Sequence, residues 1–136
     1  MKVAVLTVGT PDVVRAGLES ILKSRRGVSV CARPGGGRKK DIIALLRTAK
    51  PDVTVVVVPA LGTEAAVQAQ ALTALARKSS RVLVLLPGCD ALGMRKVREA
   101  GAGGCVSLAC STDELFEALS SVNAGGRLPA GDRVGR

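Results

Sequence analysis

Four cysteines, eleven acids and no histidine are the raw material for chemistry in this 136-residue chain. Histidine is the commonest general base and metal ligand, and both roles are lost with it. Cys31, Cys89, Cys105 and Cys110 show no C-x-x-C spacing, so reduced thiols are expected rather than a disulfide framework or a zinc site. Cys89, Cys105 and Cys110 fall at or near the carboxyl ends of strands, where a thiol sensor is the sharper reading and small buried pocket fillers the ordinary one. The acids are scattered along helices and place no nucleophile–base pair at one sheet edge. No enzyme, cofactor or metal site is therefore expected. Gly35-Gly36-Gly37-Arg38-Lys39-Lys40 offers amides and cations to an anion. It lacks the spacing of a nucleotide phosphate loop and reads as a flexible basic turn.

Composition narrows the class further. An apolar content of 47% in 136 residues suits one globular domain with a core of its own. The longest apolar run, around Val53 to Leu61, is far below the roughly 20 residues needed to span a bilayer. Met1-Lys2 leads straight into an apolar strand, not into a signal peptide, so a soluble cytoplasmic protein is expected. The formal charge is +9, and Lys23, Arg25, Arg26, Arg33, Arg38, Lys39 and Lys40 follow one another without an acid. A solvated basic edge is the ordinary reading of that run, and an anion, nucleic-acid or acidic-protein contact the alternative. Phe116 is the only aromatic residue. Stacking on single-stranded bases needs aromatic platforms, which excludes that mode of binding.

The elements that must position any site alternate strand and helix five times. Strands are expected at Val3–Val8, Val28–Ala32, Val53–Val58, Arg81–Leu86 and Cys105–Leu108. The unbroken β-branched run Val53–Val58 marks a strand buried on both faces. Helices are expected after each strand. The first has Thr10 as N-cap, Pro11 at its first position, and an apolar stripe of Val13, Val14, Gly17, Leu18, Ile21 and Leu22, with Gly27 as its stop. The second runs over Arg38–Ala49, the third over Glu64–Lys78 and the fourth over Leu92–Ala100. The fifth opens with Ser111-Thr112-Asp113-Glu114, a capping box, and turns Leu115, Phe116, Leu119 and Val122 inward. Five βα units in succession imply an α/β fold, a parallel sheet with helices on both faces. Residues 1–124 form this domain, and the aperiodic Gly-, Pro- and Arg-bearing stretch 125–136 reads as the start of a linker or a disordered tail.

The segments Val14-Arg15-Ala16-Gly17-Leu18, Lys50-Pro51-Asp52-Val53, Arg81-Val82-Leu83-Val84-Leu85 and Glu99-Ala100-Gly101-Ala102-Gly103-Gly104 carry a family resemblance. So do Ser111–Leu115 and Asn123-Ala124-Gly125-Gly126. Together, in this order, they resemble the receiver domain of bacterial response regulators of the branch with a C-terminal helix-turn-helix domain. The resemblance implies a flavodoxin-like (βα)5 three-layer sandwich with strand order 2-1-3-4-5.

It also implies a site, and the residues there are wrong for it. A working receiver has two acids after strand 1 for Mg²⁺, a phosphoacceptor aspartate ending strand 3, a hydroxyl ending strand 4 and a lysine ending strand 5. These positions are held here by Gly9 and Thr10, Val57, Leu86 and Leu108, with Cys105 at the aromatic switch position. Magnesium demands oxygen ligands, and phosphoryl oxygens need counter-charge. The resemblance thus identifies a pseudo-receiver that is not phosphorylated by the usual route. Val57, Leu86 and Leu108 are expected to collapse on one another, at about 1.5–3 kcal/mol each if fully buried. Alternatively, the vacated pocket, bounded by these residues with Gly9, Thr10, Pro59 and Pro87, would take a small-molecule effector.

The resemblance implies a phosphorylation-independent regulatory domain of a transcriptional regulator. It would act as a homodimer and reach DNA only through a C-terminal domain absent from this chain, with no membrane partner. Arg95, Arg98, Glu99, Asp113 and Glu117 are the candidate dimer contacts. The rival is a stand-alone interaction or adaptor module without DNA-binding function.

Overall fold

The apolar runs pair side by side into one parallel five-stranded sheet, in the order β2-β1-β3-β4-β5. The computed structural model describes residues 1–7, 12–31, 39–58, 63–78, 80–87 and 91–125. Its elements are β1 (Lys2–Thr7), α1 (Asp12–Lys23), β2 (Ser29–Val30), α2 (Lys39–Ala49), β3 (Val53–Val57), α3 (Thr63–Ala76), β4 (Arg81–Leu86), α4 (Ala91–Glu99), β5 (Gly104–Ser107) and α5 (Thr112–Asn123). β3 lies in the middle, paired with β1 from Val3↔Val53 to Thr7↔Val57 and with β4 from Val53↔Arg81 to Val57↔Leu85.

Two apolar layers flank the sheet. Val53, Val55, Val57, Leu83 and Leu85 point to one face, where Leu18 and Leu22 of α1 and Leu115, Phe116 and Leu119 of α5 cover them. Val56, Val58, Val82, Val84 and Leu86 point to the other, beneath Ile42 and Leu46 of α2, Ala69 and Ala76 of α3 and Val97 of α4. The period-two alternation of a strand sends neighbours to opposite layers, so a strand apolar at every position feeds both.

Most sequence expectations hold to within a residue or two. The capping box at α5 is present, with the Ser111 hydroxyl accepting from the Glu114 amide and the Glu114 carboxylate accepting from the Ser111 amide. α1 ends at Lys23, before the expected stop, and Gly27 lies in the turn that follows with φ +84°, a conformation open to glycine at little cost. β2 is shorter than expected because the Val28 amide is used in the preceding turn, donating to the Arg25 carbonyl. α3 stops before Arg77 and Lys78, which enter a turn closed by the Ser80 amide on the Ala76 carbonyl. Thr10, Pro11 and most of the glycine-rich turn lie outside the described residues.

The expected stripe of α1 needs correction. Leu18 and Leu22 are buried, but Val13 is 81% exposed, Val14 37% and Ile21 39%. At about 100° per residue, Val13, Gly17 and Ile21 lie on a flank well away from the Leu18–Leu22 line. Only that line can face the sheet, so the flank is left outside. Among the described residues, no helix is long and apolar enough to cross a membrane.

Candidate functional site

The carboxyl edge of the sheet is where an open α/β fold gathers its chemistry. Val57 ends β3 there with 0% exposure, in register between Thr7 and Leu85. Leu86 ends β4 and is buried, and its carbonyl accepts from the Leu108 amide at 2.7 Å. Leu108 is half-buried and Pro87 partly exposed. Gly9, Thr10 and Pro59 lie outside the described residues, as does Cys89.

The side chains of these positions do not form a single cluster. Val57 and Leu108 belong to the layer under α1 and α5. Leu86 and Cys105 belong to the opposite layer, under α2, α3 and α4. The expected three-way collapse of Val57, Leu86 and Leu108 is therefore divided by the sheet: the backbone brings them to one edge, and strand alternation sends them to two cores. Among the described residues no group of three or more potential metal ligands occurs.

Structure accounts for several motif residues outside this edge. The Asp52 carboxylate accepts from the Lys2 amide at 2.8 Å, and the Asp52 amide donates to the Lys2 carbonyl. This closes the start of β1 against the segment before β3. Gly101 has φ +113°, and a Cβ there would collide with the Arg77 side chain. The Gly103 amide donates to the Val82 carbonyl. The resemblance segments are thus largely the stitching of the sheet's amino edge.

An apolar opening lies on the flank. A groove of about 270 Å³ runs between Val13, Val14, Gly17 and Ile21 of α1 and Leu108, Cys110 and Thr112 opposite them. A Cβ at Gly17 would meet nothing within 4 Å. Sequence reasoning placed the pocket over the sheet's tip, and Leu108 is the lining residue it shares with this groove. The available signal was the glycine in the middle of an apolar helix stripe, where alanine would be the better helix former.

Of the candidate dimer contacts, Arg95, Glu99, Asp113 and Glu117 are exposed and Arg98 is half-buried. Asp113 pairs with Arg25 at 2.7 Å, and the Arg25 guanidinium sits 4.2 Å from the centroid of the Phe116 ring. That pair links the turn after α1 to α5 within the domain. Among the thiols, Cys105 is buried while Cys31 and Cys110 are partly exposed. Burial pushes the Cys31 thiol up, Lys2 pulls it down and Asp52 pushes it up again.

Strand order, five covering helices and two apolar layers together decide the comparison with known proteins. The fold is that of response-regulator receiver domains. A LuxR-family two-component response regulator from Aurantimonas sp. SI85-9A1 superposes with a TM-score of 0.72 at 25% identity, covering 97% of this chain and 91% of that one. The DNA-binding LuxR-family response regulator from Staphylococcus aureus gives 0.69 at 17% identity, over 90% of this chain and 98% of that one. The RcsB response regulator of Salmonella typhimurium gives 0.72 at 17% identity, over 100% of this chain but 65% of its own. No family profile and no curated protein sequence matches the chain. The receiver fold is thus shared with response regulators that control transcription.

Proposed function

We propose that this chain is the regulatory domain of a transcriptional response regulator that works without phosphorylation. The observation that carries the reading is Val57: a fully buried aliphatic side chain closes the central strand at the phosphoacceptor position that the resemblance assigns. A carboxylate is the phosphoryl acceptor in that chemistry, and valine has neither nucleophile nor metal-binding oxygen. The switch equilibrium has then lost its phosphoryl ligand, and either a fixed conformation or another input takes its place. A small-molecule effector is the alternative input.

The domain acts by pairing with a second copy and reaches DNA through a domain beyond residue 136. Three of the four large hydrophobics exposed among the described residues, Val13, Val14 and Ile21, sit on the α1 flank. Gly17 between them has no steric reason within the domain, and a glycine at such a place lets another backbone approach closely. That flank is a better centre for a self-complementary contact than the charged Arg95, Arg98 and Glu99 of α4, since interface cores are depleted in charge.

Acetyl phosphate or beryllofluoride with Mg²⁺ is the test of the first claim. Amide spectra should not change at Thr7, Val57, Leu86 or Leu108, and a phosphorylated adduct on this chain would overturn it. Sequencing past codon 136 tests the second, since a helix-turn-helix pattern is required there.

A further inference from the structure

The sheet's amino edge carries an unbalanced positive charge that neither the pocket nor the α1 flank uses. Parallel strands bring all their starts to one edge, and the returning helices end there. Lys2 and Arg81 stand at the starts of β1 and β4, Arg81 level with Val53 and Val3 across the registers and Lys2 one residue before Val3. Lys50 precedes β3, Arg77 and Lys78 fill the turn before β4, and Arg26 lies in the turn that holds the Met1 amino group on the Gly27 carbonyl. All six cations are exposed. Among the described residues the acids near these cations are Asp52, occupied by the Lys2 amide, Glu99, and Asp113, which is taken up by Arg25 beside Arg26. Arg26, Lys50, Arg77 and Lys78 have no carboxylate partner among the described residues. A basic residue in the last helical turn is favoured by the helix dipole, but Lys2, Arg26 and Arg81 lie outside the helices, so the dipole does not account for the cluster.

We propose that this edge binds the phosphate backbone of double-stranded nucleic acid, without reading sequence. A broad, shallow cluster of exposed Lys and Arg on one face is the electrostatic footprint of such a contact. The chain has no Trp or Tyr, and its one Phe is buried in the core, so base stacking on a single strand has no platform. Of the exposed large apolar side chains, Val13 and Val14 at the start of α1 and Val67 of α3 lie away from the edge; Ile21 alone, in the last turn of α1, is near it, so no continuous apolar face accompanies the charge into a lipid surface. The end of α5 is on this edge too, with the Arg81 guanidinium donating to the Asn123 carbonyl at 2.7 Å. In a longer regulator the duplex contact would add sequence-independent affinity to a specific DNA-binding domain.

The test is fluorescence anisotropy of the 136-residue chain against a duplex of arbitrary sequence, over a salt series. Each phosphate neutralised contributes a slope of about −0.9 in log K against log salt, so four contacts predict roughly a hundredfold loss from 50 to 200 mM. The triple variant Arg26→Glu, Lys50→Glu, Lys78→Glu, checked for an unchanged circular dichroism melt, should flatten the slope by about 2.7. Lys40→Glu, at the opposite end of α2, is the control for charge alone and should leave the slope in place. The proposal is overturned if the duplex does not bind at 50 mM salt, if Lys40→Glu weakens binding as much as Lys50→Glu, or if phosphatidylserine vesicles bind more tightly than the duplex. Each of these outcomes is independent of whether Val57 sits in a phosphorylation-silent pocket, because the readout is duplex binding by this chain.

Discussion

The Arg15 guanidinium donates to the Val5 carbonyl at 2.8 Å. The carbonyls of Met1 and Val3 on the same side of β1 accept from the amides of Ser29 and Cys31. β2 supplies no described rung beyond these, and Val5 comes next in the row. Arg15 therefore supplies a side-chain donor to the next carbonyl of that row. Backbone groups left unpaired away from water are costly, which gives this arginine of the α1 segment a structural reason.

Replacing Arg15 with Met should therefore cost about 1–3 kcal/mol, the range for a buried acceptor losing its donor. Urea unfolding monitored by circular dichroism measures it. A change within about 0.5 kcal/mol, the usual range for a surface substitution, would mean that water satisfies the Val5 carbonyl equally well.

Gly17 is expected to respond in two ways. Gly17→Ala should stabilise the domain by about 0.5–1 kcal/mol, because helical glycine is costly and no atom lies within 4 Å of the new Cβ. Gly17→Leu should fold equally well yet fill the flank and break self-association, as should Ile21→Glu. Thermal melts and sedimentation velocity on the same samples separate the two effects.

Restoring a carboxylate at the tip of β3 should not restore a working receiver. Val57→Asp buries a charge with no cation described near it, which should cost about 3–5 kcal/mol, as for a buried charge without a partner. The variant should show no gain from Mg²⁺ in a thermal shift assay. A Mg²⁺-dependent rise in its melting temperature would show that metal ligands are at hand.

Cys31 should alkylate only at higher pH than an unburied thiol, since desolvation raises its pKa. Lys2→Met removes the charge that lowers that pKa and should move the profile further up, while Asp52→Asn removes one that raises it and should move it down. Stability depends on pH in the matching direction. The unfolded thiol ionises first, so the contribution of buried, neutral Cys31 is present at neutral pH and is lost as pH rises through the unfolded value. Iodoacetamide labelling against pH, read by mass spectrometry at the Cys31 peptide, checks both substitutions.

Most of the architecture could be read along the chain. The β-branched run Val53–Val58 marked a strand covered on both sides, and its two-layer burial bears this out. Ser111 and Glu114 marked the start of α5 because a capping box is a local device needing nothing distant. Five such local patterns in alternation, with a right-handed crossover between each pair of strands, leave few ways to build the sheet.

Four features were decided elsewhere. Periodicity names the apolar residues of α1 but not which of them meet the sheet, because that depends on how the helix is rolled on its neighbours. The parting of Leu86 from Val57 is a matter of strand register, which shifts every side chain to the other face on a slip of one residue. Arg15 finds Val5 only once α1 is laid against β1. The basic edge is drawn from separate turns and strand starts, and charges far apart in sequence become one surface only when the parallel sheet aligns them. Local interactions write the elements into the sequence, and relations between elements exist only once the chain has closed on itself.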